Sequence, residues 1–182
     1  MASRRRAPKV VYRERARRGD IGALRELVEE IDVFSAEERK VALELLEERL
    51  ARGRASGYAF HFAELGGELV GYCTWGDVPL TQASYDLYWI AVAPRCRGLG
   101  VGRRLLREAE AGVARRGGGQ LYIETSSRAV YGPTRRFYRG AGYRQVARFV
   151  NFYAPDDHKI VFCKTIASKR RSRRTQRASG RR

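Results

Sequence analysis

Apolar residues along this chain alternate between a period near 3.6 and a period of 2, and the switches between the two outline a series of helices and strands. Val10 to Arg13 is a short apolar run that reads as a first strand. Asp20 is placed to cap a helix with Leu24, Leu27, Val28 and Ile31 on one face. Ser35-Ala-Glu-Glu38 has capping-box spacing and opens a second helix through Val41, Leu43, Leu45, Leu46 and Leu50. Tyr58 to Leu65 and Glu68 to Trp75 predict a hairpin turning at Gly66-Gly67, followed by a loop at 76–84. Tyr85 to Val92 is aromatic and β-branched, as a strand inside a sheet would be. After Pro94 and a glycine-rich turn, Val101, Leu105, Leu106, Ala109 and Val113 recur at helical spacing until Gly117-Gly-Gly119. A strand over Gln120 to Thr125, a helix over Tyr131 to Arg139 and strands near Tyr143 to Phe152 and Lys159 to Ile166 complete the pattern. One α/β domain with a mixed, largely antiparallel sheet of about six to seven strands and about four helices follows. No internal repeat interrupts it.

Charge changes the picture only at the ends. The formal net charge is +17, but residues 1–9 carry +4 and residues 168–182 carry +8, which leaves +5 for residues 10–167. The expected organisation is therefore a basic N-terminal tail at 1–9, a folded domain at 10–167 and a basic, disordered C-terminal tail at 168–182. Arginine outnumbers lysine 32 to 5, which fits a compositional bias of the source genome better than selection for phosphate contacts. No stretch has the roughly 20 apolar residues of a membrane span, nor the apolar segment of a secretory leader, so a cytoplasmic protein with no membrane partner is expected. Cys73, Cys96 and Cys163 lack neighbours at metal-ligand spacing and are expected to be free thiols, with no metal bound.

The chemistry centres on Arg97-Gly-Leu-Gly-Val-Gly102, between a predicted strand and a predicted helix. The first N–H groups of a helix have no intrahelical partner and face an anion readily; Gly98, Gly100 and Gly102 let it approach the main chain, and Arg103 and Arg104 add positive charge. A pyrophosphate fits that description. A nucleotide P-loop does not, because Gly-Lys-Ser or Gly-Lys-Thr is missing, and the last two glycines are too close for the dinucleotide fingerprint. A glycine turn serving only a tight connection is the bland alternative.

The segment resembles the Arg-x-x-Gly-x-Gly pyrophosphate motif of the Gcn5-related N-acetyltransferases, with Arg97, Gly100 and Gly102 in the motif positions. Ile90-Ala-Val-Ala-Pro94 resembles the strand that precedes that motif, and Phe137, Tyr138, Gly142 and Tyr143 match the family's Phe-Tyr-x-x-x-Gly-Phe element. The match is clear over residues 85–166. Many relatives carry an Asn seven residues before the tyrosine, where this chain has Tyr131. The resemblance implies a sheet splayed at its central strand pair, and acetyl-CoA as co-substrate held by Arg97, Gly98, Leu99, Gly100, Val101, Gly102 and Arg103. It also implies that Ile90, Ala91 and Val92 pair their main chain with the pantetheine arm and polarise the thioester carbonyl.

Acetyl transfer to an amine needs a base for the acceptor's proton, donors for the developing oxyanion and an acid for the departing thiolate. Tyr138 matches the family tyrosine beside the coenzyme sulfur, and a phenol with an ordinary pKa of about 10 can protonate a thiolate. Asp86, near the start of the central strand, and Glu124, near the end of its neighbour, are the two candidate bases; either is alternatively a structural carboxylate. His61 and His158 are expected to be surface residues. The acceptor is a small-molecule or protein amine. A coenzyme A sensor without turnover and a nucleic-acid-associated module acting nonspecifically through its basic tails are the competing readings, and a homodimer is left open.

Overall fold

In the computed structural model, which describes residues 9–168, the elements appear in the expected order. They are β1 (Val11–Arg13), α1 (Asp20–Glu29), α2 (Ala36–Arg52), β2 (Tyr58–Leu65), β3 (Glu68–Asp77), β4 (Ser84–Val92), α3 (Val101–Arg115), β5 (Gly119–Ser126), α4 (Gly132–Gly140), β6 (Arg144–Ala154) and β7 (Asp157–Ile166). The seven strands form one mixed sheet in the order β1-β2-β3-β4-β5-β7-β6. β4 and β5 are parallel, while β1 with β2, β5 with β7 and β6 with β7 are antiparallel. The ladder between β4 and β5 runs only from Ser84↔Gln120 to Leu87↔Ile123, although β5 continues to Ser126. The proposed tails fall outside the described residues except for Lys9 and Ser168.

This domain divides into two compact units. The first takes residues 9–73 and 89–105, the second residues 74–88 and 106–168. In the first, Leu24, Leu27 and Val28 of α1, Ala42 and Leu46 of α2, and Phe60, Phe62 and Tyr72 of β2 and β3 are buried. α2 starts at a capping box as expected: Ser35 Oγ accepts the Glu38 N–H at 3.1 Å, and a Glu38 carboxylate oxygen accepts the Ser35 N–H at 2.7 Å. Asp20 is not the cap of α1. Gly19 takes that position, and the buried Asp20 carboxylate instead accepts from the Arg13 guanidinium at 2.9 Å and the Arg17 N–H at 2.7 Å. A carboxylate with 5% exposure needs such partners, and Arg13, stacked 4.3 Å from the Phe62 ring centroid, also reaches Glu64 at 2.7 Å. His61 is likewise not a surface residue: it is 3% exposed, with Glu14 3.9 Å from its Nδ1.

In the second unit β4, β5 and β7 present alternate faces. Leu121, Ile123 and Phe162 are buried on one face. Lys164 ties α3 to the turn after α4, 2.8 Å from Glu110 and donating to the Ala141 carbonyl at 2.9 Å. Gly112 of α3 lies against the buried Trp75 indole, with a Cβ position only 2.1 Å from the ring. Trp75 in turn meets Tyr85 edge-on at 5.9 Å and is covered by Arg116, whose guanidinium carbon is 4.5 Å from the ring centroid and which pairs with Asp77 at 2.7 Å. That packing fixes β4 one residue before Asp86.

Candidate active site

The candidate loop at Arg97–Gly102 lies in the first unit. After β4 the chain makes a single 3-10 turn at Pro94–Cys96, buries Cys96 and enters α3 at Val101. Gly98 and Gly100 have φ of +81° and +78°, the left-handed region that side chains disfavour, and a Cβ at either would meet nothing within 4 Å. These glycines are thus required by backbone conformation and leave open space beside the main chain. Arg104 N–H bonds the Gly100 carbonyl at 3.0 Å, so the N–H groups of Val101, Gly102 and Arg103 precede the first i→i−4 bond and have no intrahelical acceptor. Arg97, Leu99 and Arg103 are exposed. A phosphate group fits this set of donors and charges. On β4, Ala91 is buried, Ile90 and Val92 are half-buried, and the following Ala93 N–H bonds the Val70 carbonyl at 2.9 Å.

The candidate bases lie in the second unit, on one face of the sheet. Asp86 is in register with Tyr122, and Glu124 is two residues further along β5. Both carboxylates therefore project from the face opposite Leu121 and Ile123. Asp86 is half-buried, and among the described residues no hydrogen bond or ion pair reaches its carboxylate. Its pKa is raised, first by burial and then by the charge of Glu124, with Lys159 opposing. Glu124 is exposed and engaged: Lys159 Nζ stands 3.1 Å from it.

Tyr138 is on the other face of the same sheet region. It is 4% exposed, with ring centroids 5.8 Å from Phe162, 6.3 Å from Tyr143 and 5.4 Å from Phe137. Tyr131, where many relatives carry Asn, ends a 3-10 turn and is the N-cap residue of α4.

Residues 56–145 match the model of the acetyltransferase (GNAT) domain. The fold aligns with the crystal structure of a GNAT-family protein from Desulfovibrio desulfuricans at TM-score 0.85 and 42% identity, over 87% of this chain and 100% of that one. The chain belongs to the GNAT acetyltransferase family. More distant structures share the fold. The ribosomal-protein-S18-alanine N-acetyltransferase of Escherichia coli does so at TM-score 0.69 and 19% identity, over 87% of this chain and 95% of that one. An aminoglycoside 6'-N-acetyltransferase complexed with coenzyme A does so at TM-score 0.66 and 20% identity, over 88% and 98%. No curated protein sequence matches the chain.

Within this GNAT domain the residues picked out from sequence fall into three sets. Arg97 to Arg103 form one continuous loop and helix start, Asp86 and Glu124 share a sheet face, and Tyr138 belongs to an aromatic cluster on the opposite face. Two features were missed. His158, half-buried at the start of β7, closes the β6–β7 turn, its Nδ1 accepting the Asn151 N–H at 2.9 Å where Asn151 has φ of +53°. Lys159 is the cation beside the candidate bases, held over the rings of Phe152 at 3.9 Å and Phe149 at 5.1 Å. In the sequence it is one of two lysines, with Lys164, in an aromatic hairpin. None of the three cysteines forms a disulfide, and no helix among the described residues is long and apolar enough to cross a membrane.

Proposed function

We propose that this GNAT protein is an acetyl-CoA-dependent N-acetyltransferase that moves an acetyl group to a primary amine by direct attack in a ternary complex. The observation that carries the reading is the Arg97–Gly102 loop, whose positive-φ glycines and unpaired helix-start N–H groups suit a pyrophosphate. The coenzyme A complex of a related fold supports the choice of cofactor. When bound, acetyl-CoA supplies an activated acyl group as a thioester. The main chain of Ile90–Val92 orients it and donates to the carbonyl oxygen, where charge develops. A carboxylate of the Asp86–Glu124 pair takes the acceptor's proton, since an alkylammonium is protonated at neutral pH and cannot attack. The Tyr138 hydroxyl returns a proton to the departing thiolate.

The test is a panel of aminoglycosides, polyamines, free amino acids and peptide N-termini, each incubated with acetyl-CoA while free thiol is followed. Acceptor-dependent thiol release supports the reading. Acetyl-CoA binding by calorimetry with no release on any amine would support a coenzyme A sensor instead.

A further inference from the structure

The two carboxylates that the sequence leaves as alternative bases are not equivalent in the folded chain. Register puts Asp86 beside Tyr122, Glu124 opposite Val161, and Ser126 opposite Lys159, so Asp86, Tyr122, Glu124 and Lys159 share one face. β6 adds Phe149, in register with Lys159, and the turn side of the hairpin adds Phe152. Lys159 Nζ is fixed from three directions, 3.1 Å from Glu124, 3.9 Å from the Phe152 centroid and 5.1 Å from that of Phe149, with 14% side-chain exposure. A lysine stem so enclosed keeps its head in one place, unlike a solvated surface lysine. Glu124 is thereby committed to an ion pair. Asp86 has no hydrogen-bond or ion-pair partner among the described residues and remains available to accept a proton.

We propose that Lys159 is a positioning residue of the acetyl transfer: clamped between Phe149 and Phe152, it occupies Glu124 and leaves Asp86 as the general base. This rests on the acetyltransferase reading. In the step, the acceptor ammonium gives a proton to the Asp86 carboxylate, the amine nitrogen forms its bond to the acetyl carbon as the C–S bond breaks, the thiolate takes the Tyr138 proton, and the proton still carried by the new amide nitrogen restores the Tyr138 phenol. The charged and titratable groups on the face of Asp86 are Tyr88 of β4 itself, Glu124 and Tyr122 from β5, and Lys159 and Cys163 from β7. Burial and Glu124 hold its proton on, and Lys159 drives it off. Removing the Lys159 charge must therefore move Asp86 ionisation to higher pH, and removing the Glu124 charge must move it to lower pH.

Carboxyl carbon NMR titration of Asp86 in the full chain tests the coupling without a substrate. Lys159→Met keeps the apolar stem against the rings, Lys159→Arg keeps the charge, and Glu124→Gln removes the neighbouring anion. The expected result is a midpoint displaced upward in Lys159→Met, near wild type in Lys159→Arg and downward in Glu124→Gln. The acid limb of kcat/KM with the acceptor found in the amine panel should move in the same directions, and Lys159→Met should lose roughly 3- to 10-fold in kcat/KM below that limb. An Asp86 midpoint unmoved by Lys159→Met, or moved the same way by Lys159→Met and Glu124→Gln, overturns the coupling. Should Lys159→Met not fold, the comparison of wild type with Glu124→Gln decides alone: a midpoint that does not fall sinks the proposal. If Asp86 titrates as expected while thiol release from acetyl-CoA ignores every amine, the coupling stands, and its assignment as a base falls with the acetyltransferase reading.

Discussion

Replacing Gly112 by Ala sets two effects of opposite sign against each other. In the interior of α3 the substitution gains about 1 kcal/mol of helix propensity. The new Cβ, however, would lie 2.1 Å from Trp75 Cζ2, 2.8 Å from Cη2 and 3.0 Å from Cε2. The atoms it meets belong to a rigid indole, not to the end of a flexible chain. That ring is 2% exposed and has little room to retreat, with Tyr85 edge-on at 5.9 Å and the Arg116 guanidinium stacked at 4.5 Å. Overpacking a well-filled site costs about 1–3 kcal/mol, and a clash this deep belongs at the top of that range. The net is a loss of about 1–2 kcal/mol, which in a domain of this size lowers Tm by roughly 2–8 °C. Thermal melts followed by far-UV circular dichroism measure it, and the near-UV tryptophan signal reports the displaced ring. Gly22 in α1 supplies the control, because its Cβ would meet nothing within 4 Å, so Gly22→Ala should gain roughly 0.5–1 kcal/mol. A Gly112→Ala protein as stable as the Gly22→Ala protein would refute the packing argument.

Three further substitutions probe the site and its scaffold. At Gly100, φ of +78° makes a β-branched residue strained, and Gly100→Val should weaken acetyl-CoA binding at least about 10-fold by calorimetry; wild-type affinity in a folded variant would remove the loop assignment. Tyr138→Phe keeps the ring among Phe137, Tyr143 and Phe162 and removes only the hydroxyl, so turnover should fall roughly 10- to 1000-fold with little change in Tm, and full turnover would return Tyr138 to a packing role. Arg13→Met leaves the buried Asp20 carboxylate without its guanidinium and should cost about 3 kcal/mol by urea denaturation, much of it recovered in an Arg13→Met/Asp20→Leu double variant; no recovery would mean that the cost lies in the lost stacking on Phe62.

Local signals were legible in the sequence, and long-range ones were not. The capping box at Ser35 and Glu38 closes within four residues, and the glycines of the 97–102 loop declare a backbone conformation, so both could be read without knowing what packs around them. Asp20 has the composition of a cap, but its carboxylate is claimed by Arg13 of β1 before it can serve α1. His61 looks like a hairpin surface residue because it is polar, yet residues 60–63 of β2 are buried on both faces, which periodicity in one strand cannot show. The division of labour between Asp86 and Glu124 depends on the registers of β4 with β5 and of β5 with β7, and on aromatic residues that β6 delivers across an irregular ladder to β7. None of those registers is encoded in the spacing of the charged residues themselves.

The direct test of acetyl transfer is its stoichiometry. Acetyl-CoA labelled in the acetyl group is incubated with the wild-type full chain and each amine of the panel, and free thiol and the mass of the amine are measured together. The reading of the loop, the carboxylate face and Tyr138 predicts, for at least one amine, one acetylated product per thiol released, with negligible release when the amine is left out. Thiol release equal with and without amine, or acetyl-CoA bound and returned intact across the whole panel, would contradict it.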